Sequence, residues 1–173
     1  IICLGISVRL LDYRWPYLRN IDSYNFERQI EEVAQYGHLL PYDALGLAPD
    51  PQPRIFGQDL YIYLGGYMFI FFKMIMPDLA MFQVLIWLPA ILAAFLAIPM
   101  YLIGNTLFDK KAGVLAAFFI MFDISVVSRT LGGDPDSDAA VLLFPLIAIA
   151  AFLIAYKYAN VSKSINKKYI FYT

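Results

Sequence analysis

Charged residues fall in blocks along the chain, and the apolar intervals between the blocks define the expected elements. Leu79–Phe108 carries no charge, and Leu79–Ile103 within it is nearly all apolar. That exceeds the roughly 20 residues a helix needs to cross a bilayer. Ala112–Val127 is interrupted only by Asp123, and Ala139–Tyr156 is uncharged; each approaches the lower limit of about 17 residues for a span. Ile1–Val8 is apolar from a first residue that is not Met, so the sequence is expected to begin inside the first membrane helix of a longer protein, ending near Leu11. Leu60–Phe72 is apolar and aromatic, but it is only thirteen residues long, contains Gly65-Gly66 and stops at Lys73. Such a length suits an interfacial helix better than a span. The pattern therefore predicts an all-α polytopic membrane protein with about four membrane helices.

Between Asp12 and Asp59 the chain reads as a structured loop. Asp22-Ser23 can cap a helix whose apolar positions Ile30, Val33 and Ala34 continue to a stop at Gly37. Pro41, Pro49, Pro51, Pro53, Gly46 and Gly57 then impose an irregular path.

Composition agrees with the pattern. Of 173 residues, 61% are hydrophobic and 16% charged, against about 45–50% and 25% in soluble domains, and the mean hydropathy is +0.63. A net charge of −1 offers no basic face to nucleic acid, which is excluded as a partner. One cysteine, Cys3, builds no disulfide or thiolate metal site within the chain and says nothing of redox compartment.

Topology follows from the lysines. Lys110-Lys111 and Lys157, Lys163, Lys167 and Lys168 belong on the cytoplasmic side. Asp12–Asp59 holds eight acids, four arginines and no lysine, which suits the exterior, with Leu60–Phe72 in the outer interface. The expected order is a truncated helix 1–11, an external loop 12–78, spans 79–104, 112–128 and 139–157, a cytoplasmic loop 105–111, an external loop 129–138, and a basic cytoplasmic segment 158–173.

This order places Asp22 and the loop Arg129–Asp138 on the same external face. Asp136 and Asp138 form an Asp-x-Asp pair that can present hard oxygen ligands to Mg²⁺ or Mn²⁺, and a carboxylate from another segment, such as Asp22, would add a third. Spacing alone leaves a second reading open, in which Asp138 is the N-cap of the next helix.

Two strings carry a family resemblance. Ser128-Arg129-Thr130-Leu131-Gly132-Gly133-Asp134-Pro135-Asp136-Ser137-Asp138, followed by Val141-Leu142-Leu143-Phe144-Pro145-Leu146, resembles the second acidic motif of the oligosaccharyltransferase catalytic subunits and the helix after it. Asn20-Ile21-Asp22-Ser23-Tyr24-Asn25-Phe26-Glu27-Arg28 resembles their first acidic motif, and Leu40-Pro41-Tyr42-Asp43 the rest of their first external loop. The single-chain archaeal or bacterial type is the nearer likeness. The resemblance implies the N-terminal part of a C-type glycosyltransferase fold. It further implies transfer of an oligosaccharide from a polyprenyl (di)phosphate carrier to asparagine in Asn-x-Ser/Thr sequons of an acceptor polypeptide, with Mn²⁺ or Mg²⁺ as cofactor. Asp22 would be a metal ligand that also meets the acceptor amide, Asp136 a metal ligand, and Asp138 a second acid at the metal. Ser23 and Phe26 stand where the family often has Pro and His, and Asp134-Pro135 adds a further acid. The family's third acidic ligand and its Trp-Trp-Asp motif lie downstream, and this chain has no Trp-Trp pair, so the piece alone is expected to be inactive.

Two other functions compete. Another C-type transferase using polyprenyl-phosphate sugars, such as a protein mannosyltransferase relative, usually carries Asp-Glu in the first loop, whereas Asp22 precedes Ser23. A transporter would place its acids within the spans, whereas here most lie outside them.

Several single residues carry readings of their own. Asp123 reads as a polar contact near the outer end of its span, and Arg129 as a ligand for carrier phosphate, as an orienter of Asp136, or as a headgroup anchor. His38 reads as a helix-end cation. Tyr61, Tyr63, Tyr67 and Phe69–Phe72 read as an interfacial aromatic belt. Asn160-Val161-Ser162 has sequon form but is placed inside, among lysines.

Overall fold

Most of the chain that the computed structural model describes is helical; it describes residues 1–11, 13, 17–43, 45, 50, 52–54 and 59–170, without the side chains of 59 and 160–170. In chain order the elements are α1 (Ile2–Leu10), α2 (Ile21–Tyr36), β1 (Tyr42–Asp43), β2 (Gln52–Pro53), α3 (Asp59–Ile75), α4 (Met81–Phe95), α5 (Ala97–Leu107), α6 (Lys110–Phe122), α7 (Ile124–Arg129) and α8 (Asp138–Ile170).

The uncharged run expected as one span is a 27-residue rod, Met81–Leu107, jointed at Leu96. Pro99 has no N–H for the Phe95 carbonyl, and the Leu96 N–H turns back to Ala93 O at 3.1 Å. The run Ala112–Val127 is likewise divided. Asp123 is not inside a helix: it closes α6 and starts α7, its Oδ1 accepting from Ser125 N at 2.9 Å and Val126 N at 3.2 Å. The polar contact expected of it is this cap, at a break between two helices. Helix α8 does not end at Tyr156 but continues to Ile170. Among the described residues, two helices are long and apolar enough to cross a membrane, Met81–Leu107 and Asp138–Ala159.

The α5–α6 turn is tight because a methyl added at Gly104 would lie 2.8 Å from Gly113 Cα. Lys157 Nζ donates to Thr106 O at 2.9 Å, so the first residue of the second lysine cluster lies beside the α5–α6 turn that carries Lys110 and Lys111. The side chains of Lys163, Lys167 and Lys168 lie outside the described residues.

At the opposite end, α2 and α3 lie together across the N-terminal halves of α4 and α8. Phe26, Ile30 and Val33, at helical spacing, are buried, and taking each from water is worth about 1.5–3 kcal/mol. The pair Gly65-Gly66 lets α3 approach: methyls there would meet Ile30 Cδ1 at 2.7 Å and Val33 Cγ1 at 2.6 Å. Leu85, Leu88, Leu92, Ala139, Ala140 and Leu143 complete this core. Gly37 ends α2 in the left-handed region (φ 78°), as the sequence suggests.

Of the tyrosines expected as an interfacial belt, Tyr61 is instead buried, and Tyr63 and the exposed Tyr67 also tie α3 to the end of α2. Tyr61 is 2% exposed, Tyr63 Oη accepts from Leu39 N at 3.2 Å, and Tyr67 Oη donates to Gly37 O at 3.3 Å. The segment expected to be irregular contains a short antiparallel ladder, Tyr42 opposite Pro53 and Asp43 opposite Gln52; Gly46, Pro49, Pro51 and Gly57 lie outside the described residues. Arg28 holds this ladder through a bidentate pair with Asp43, and Arg54 holds it through Glu32 at 2.7 Å.

Candidate functional site

The segment 130–137 between α7 and α8 is fixed by backbone bonds to three distant places. Gly132 N donates to Arg9 O at 2.9 Å, Gly133 N to Ile86 O at 3.3 Å, and Gly133 O accepts from Arg19 N at 2.8 Å. The path requires glycine: Gly133 has φ +82°, and any side chain there would run into the Tyr13 ring. Buried Pro135 follows, and Asp136 N donates to Asp134 O at 2.7 Å. Asp136 Oδ1 accepts from Ser137 N at 2.6 Å.

The first acidic segment meets this loop directly. The N-cap of α2 is Asn20, with no side-chain cap bond, so Asp22-Ser23 is not the cap the sequence suggests. Both residues sit in the first turn. Asp22 is exposed there, where the positive end of the helix dipole favours a carboxylate. Ser23 is buried, and its Oγ donates to Asp134 Oδ1 at 2.9 Å across 111 positions of sequence. The acid that looked supernumerary is thus the one that joins the two segments.

Asp138 opens α8 and is partly exposed. Arg129 Nη1 lies 3.8 Å from its Oδ2, with the Arg129 side chain 75% exposed, a geometry worth little as an ion pair that leaves the guanidinium open to an anion. Among the described residues, no three acid, histidine or cysteine side chains converge closely enough to hold a metal ion. The carboxylates of this region, Asp22, Asp134, Asp136 and Asp138, offer hard oxygen donors without converging on one point.

Behind them lies Tyr61, packed edge-on against Phe26 with ring centroids 5.6 Å apart. Its hydroxyl is buried with no partner among the described residues. Its pKa is pushed well above the ordinary tyrosine value, first by burial and then by the negative charges of Asp136 and Asp134. A neutral hydroxyl therefore borders the carboxylates, able to bind a water or an ion's hydration shell. The sequence reading placed Tyr61 in an aromatic belt; the signal for its burial was its place one helical turn before Gly65, on the face those glycines press against α2. Arg9 went unremarked. An arginine in an expected span is itself a signal, and this one is completely buried.

The family model described as oligosaccharyl transferase STT3, N-terminal, matches residues 10–173. The chain is 29% identical over 161 residues to dolichyl-phosphooligosaccharide-protein glycotransferase 3 of Archaeoglobus fulgidus, covering 88% of this chain and 18% of that protein. It is similar to the Archaeoglobus fulgidus oligosaccharyltransferase in complex with Zn and sulfate, with a TM-score of 0.76 and 24% identity over 90% of this chain and 20% of that one. It is also similar to the same organism's AglB in complex with an inhibitory peptide and a dolichol-phosphate, with a TM-score of 0.72 and 23% identity over 90% and 19%. The chain spans about a fifth of the length of the relatives it matches.

Proposed function

We propose, for a chain that belongs to the STT3 oligosaccharyl transferase family, that it supplies the cation-binding acids for moving an oligosaccharide from a polyprenyl (di)phosphate carrier to asparagine in Asn-x-Ser/Thr sequons. The observation that carries this reading is the joining of the two acidic segments by the Ser23–Asp134 and Arg19–Gly133 bonds. The relative with a bound dolichol-phosphate and peptide supports a lipid carrier and a polypeptide acceptor, and the relative with zinc supports a divalent cation.

In this reading α1, the α4–α5 rod, α6 with α7, and α8 cross the membrane. Residues 12–78 form the first external loop with α2 and α3 at its interface, residues 129–138 the second external loop, and residues 105–111 and 158–173 lie inside. The Lys157–Thr106 contact beside Lys110 and Lys111 supports a single cytoplasmic lysine side.

Asp22, Asp136 and Asp138 would hold Mn²⁺ or Mg²⁺, which when bound supplies Lewis acidity at the phosphate leaving group. Asp22, exposed at the start of α2, takes N–H bonds from the acceptor amide, fixing its approach and sharpening a poor nucleophile. Arg129 meets the carrier phosphate with a planar fork suited to its oxygens. Ser23, through Asp134, keeps the first turn of α2 against the loop that bears Asp136.

The test uses the full-length protein with lipid-linked oligosaccharide and a sequon peptide. Asp22→Ala and Asp136→Ala should each slow glycopeptide formation by about a hundredfold to a thousandfold, the scale of losing a group that stabilises transition-state charge. EDTA should stop turnover, and Mn²⁺ or Mg²⁺ should restore it. Wild-type rates in both variants contradict the assignment.

A further inference from the structure

Arg9 is 0% exposed within an apolar helix, yet the partners of its guanidinium among the described residues are neutral oxygens. Nε donates to Thr130 Oγ1 at 2.7 Å, and Nη1 donates to Gly5 O at 3.0 Å and Met121 O at 3.1 Å. Thr130 Oγ1 in turn donates to Val126 O at 2.6 Å. Met121 and Val126 lie in the last turns of α6 and α7, where helix carbonyls lack intrahelical donors and carry the negative end of the dipole. Arg9's own carbonyl, in the last turn of α1, accepts from Gly132 N at 2.9 Å. The C-terminal ends of three helices therefore meet at one residue, which accounts for a buried cation without a carboxylate.

We propose that Arg9 is a positioning residue for the acidic loop: its side chain binds the ends of α6 and α7, its carbonyl binds Gly132, and together they fix where the chain enters Asp134–Asp138. A planar fork is needed because Nε and Nη1 reach residues 130 and 121 on either side of the break at Asp123, whereas an ammonium is a point donor. Nη2 has no partner among the described residues. Leaving a buried donor unpaired costs free energy, so the residue serves placement rather than stability. The consequence for cation binding rests on the proposed role of Asp136.

The full-length protein with Arg9→Met, Arg9→Lys and Thr130→Val tests this through hydrogen exchange along the chain and the Mn²⁺ concentration for half-maximal glycopeptide formation. Exchange across 130–138 should rise at least tenfold in Arg9→Met while α2 and the middle of α8 stay protected. The Mn²⁺ requirement should rise at least tenfold, with Arg9→Lys and Thr130→Val intermediate. Unchanged exchange in 130–138, or acceleration spread evenly over all helices, overturns the proposal. Thr130→Val, nearly isosteric, decides it if Arg9→Met does not fold. A wild-type protein indifferent to Mn²⁺ would remove the cation reading, while the exchange data would still judge Arg9.

Discussion

The two ends of the helices are closed in opposite ways. At the lysine end, two residues join α5 to α6, Asp109 accepts from Ala112 N at 2.8 Å to cap the helix it precedes, and Gly104 rests on Gly113. Apart from Lys157 reaching Thr106, these contacts are between residues close in sequence. At the aspartate end, eight residues join α7 to α8, and their path is set by Arg9, Arg19, Ser23 and Ile86, all distant in sequence. A turn that only reverses the chain needs local capping. A turn that must present carboxylates at a fixed place is held from outside, because like charges crowded together would otherwise move apart.

Labelling tests the separation of the ends most starkly. In full-length protein with Cys3→Ser, cysteines at exposed Ser128 and Lys111 should react with an impermeant reagent from opposite sides of the membrane; reaction from one side breaks the comparison. Next in size, Asp109→Ala should leave glycopeptide formation unchanged and cost about 1 kcal/mol of stability, the usual worth of an N-cap, in contrast to the loss expected for Asp136→Ala. Gly133→Ala forces a side chain into the left-handed region and onto Tyr13, a strain of about 1–3 kcal/mol. It should slow turnover roughly tenfold, one factor of ten per 1.4 kcal/mol, more than it lowers the unfolding midpoint. Ser23→Ala removes one buried hydrogen bond of about 1 kcal/mol and should slow turnover about fivefold. Lys157→Met, at an exposed contact, should change stability by less than about 0.5 kcal/mol and leave turnover unaltered.

Much of the fold was legible because long apolar helices announce themselves by missing charge, and Gly37 by its place after an amphipathic run. The breaks at Leu96 and Asp123 were not: hydropathy averages over a window, whereas a break depends on one missing N–H or one capping carboxylate. Asp22 and Asp136 are proposed through family resemblance, since spacing alone left Asp-x-Asp open to a capping role. Asp134 and Arg9 were beyond pattern reading for a different reason. Their partners lie 111 and 121 positions away, and periodicity tells which face a residue takes but not what it meets there.

The account stands on Asp22 and Asp136 serving one cation. Titrating the full-length protein with Mn²⁺ and following the free ion by electron paramagnetic resonance tests this without depending on turnover. Asp22→Asn and Asp136→Asn should each weaken the same bound ion at least tenfold. Wild-type Mn²⁺ affinity in either variant would contradict a shared site.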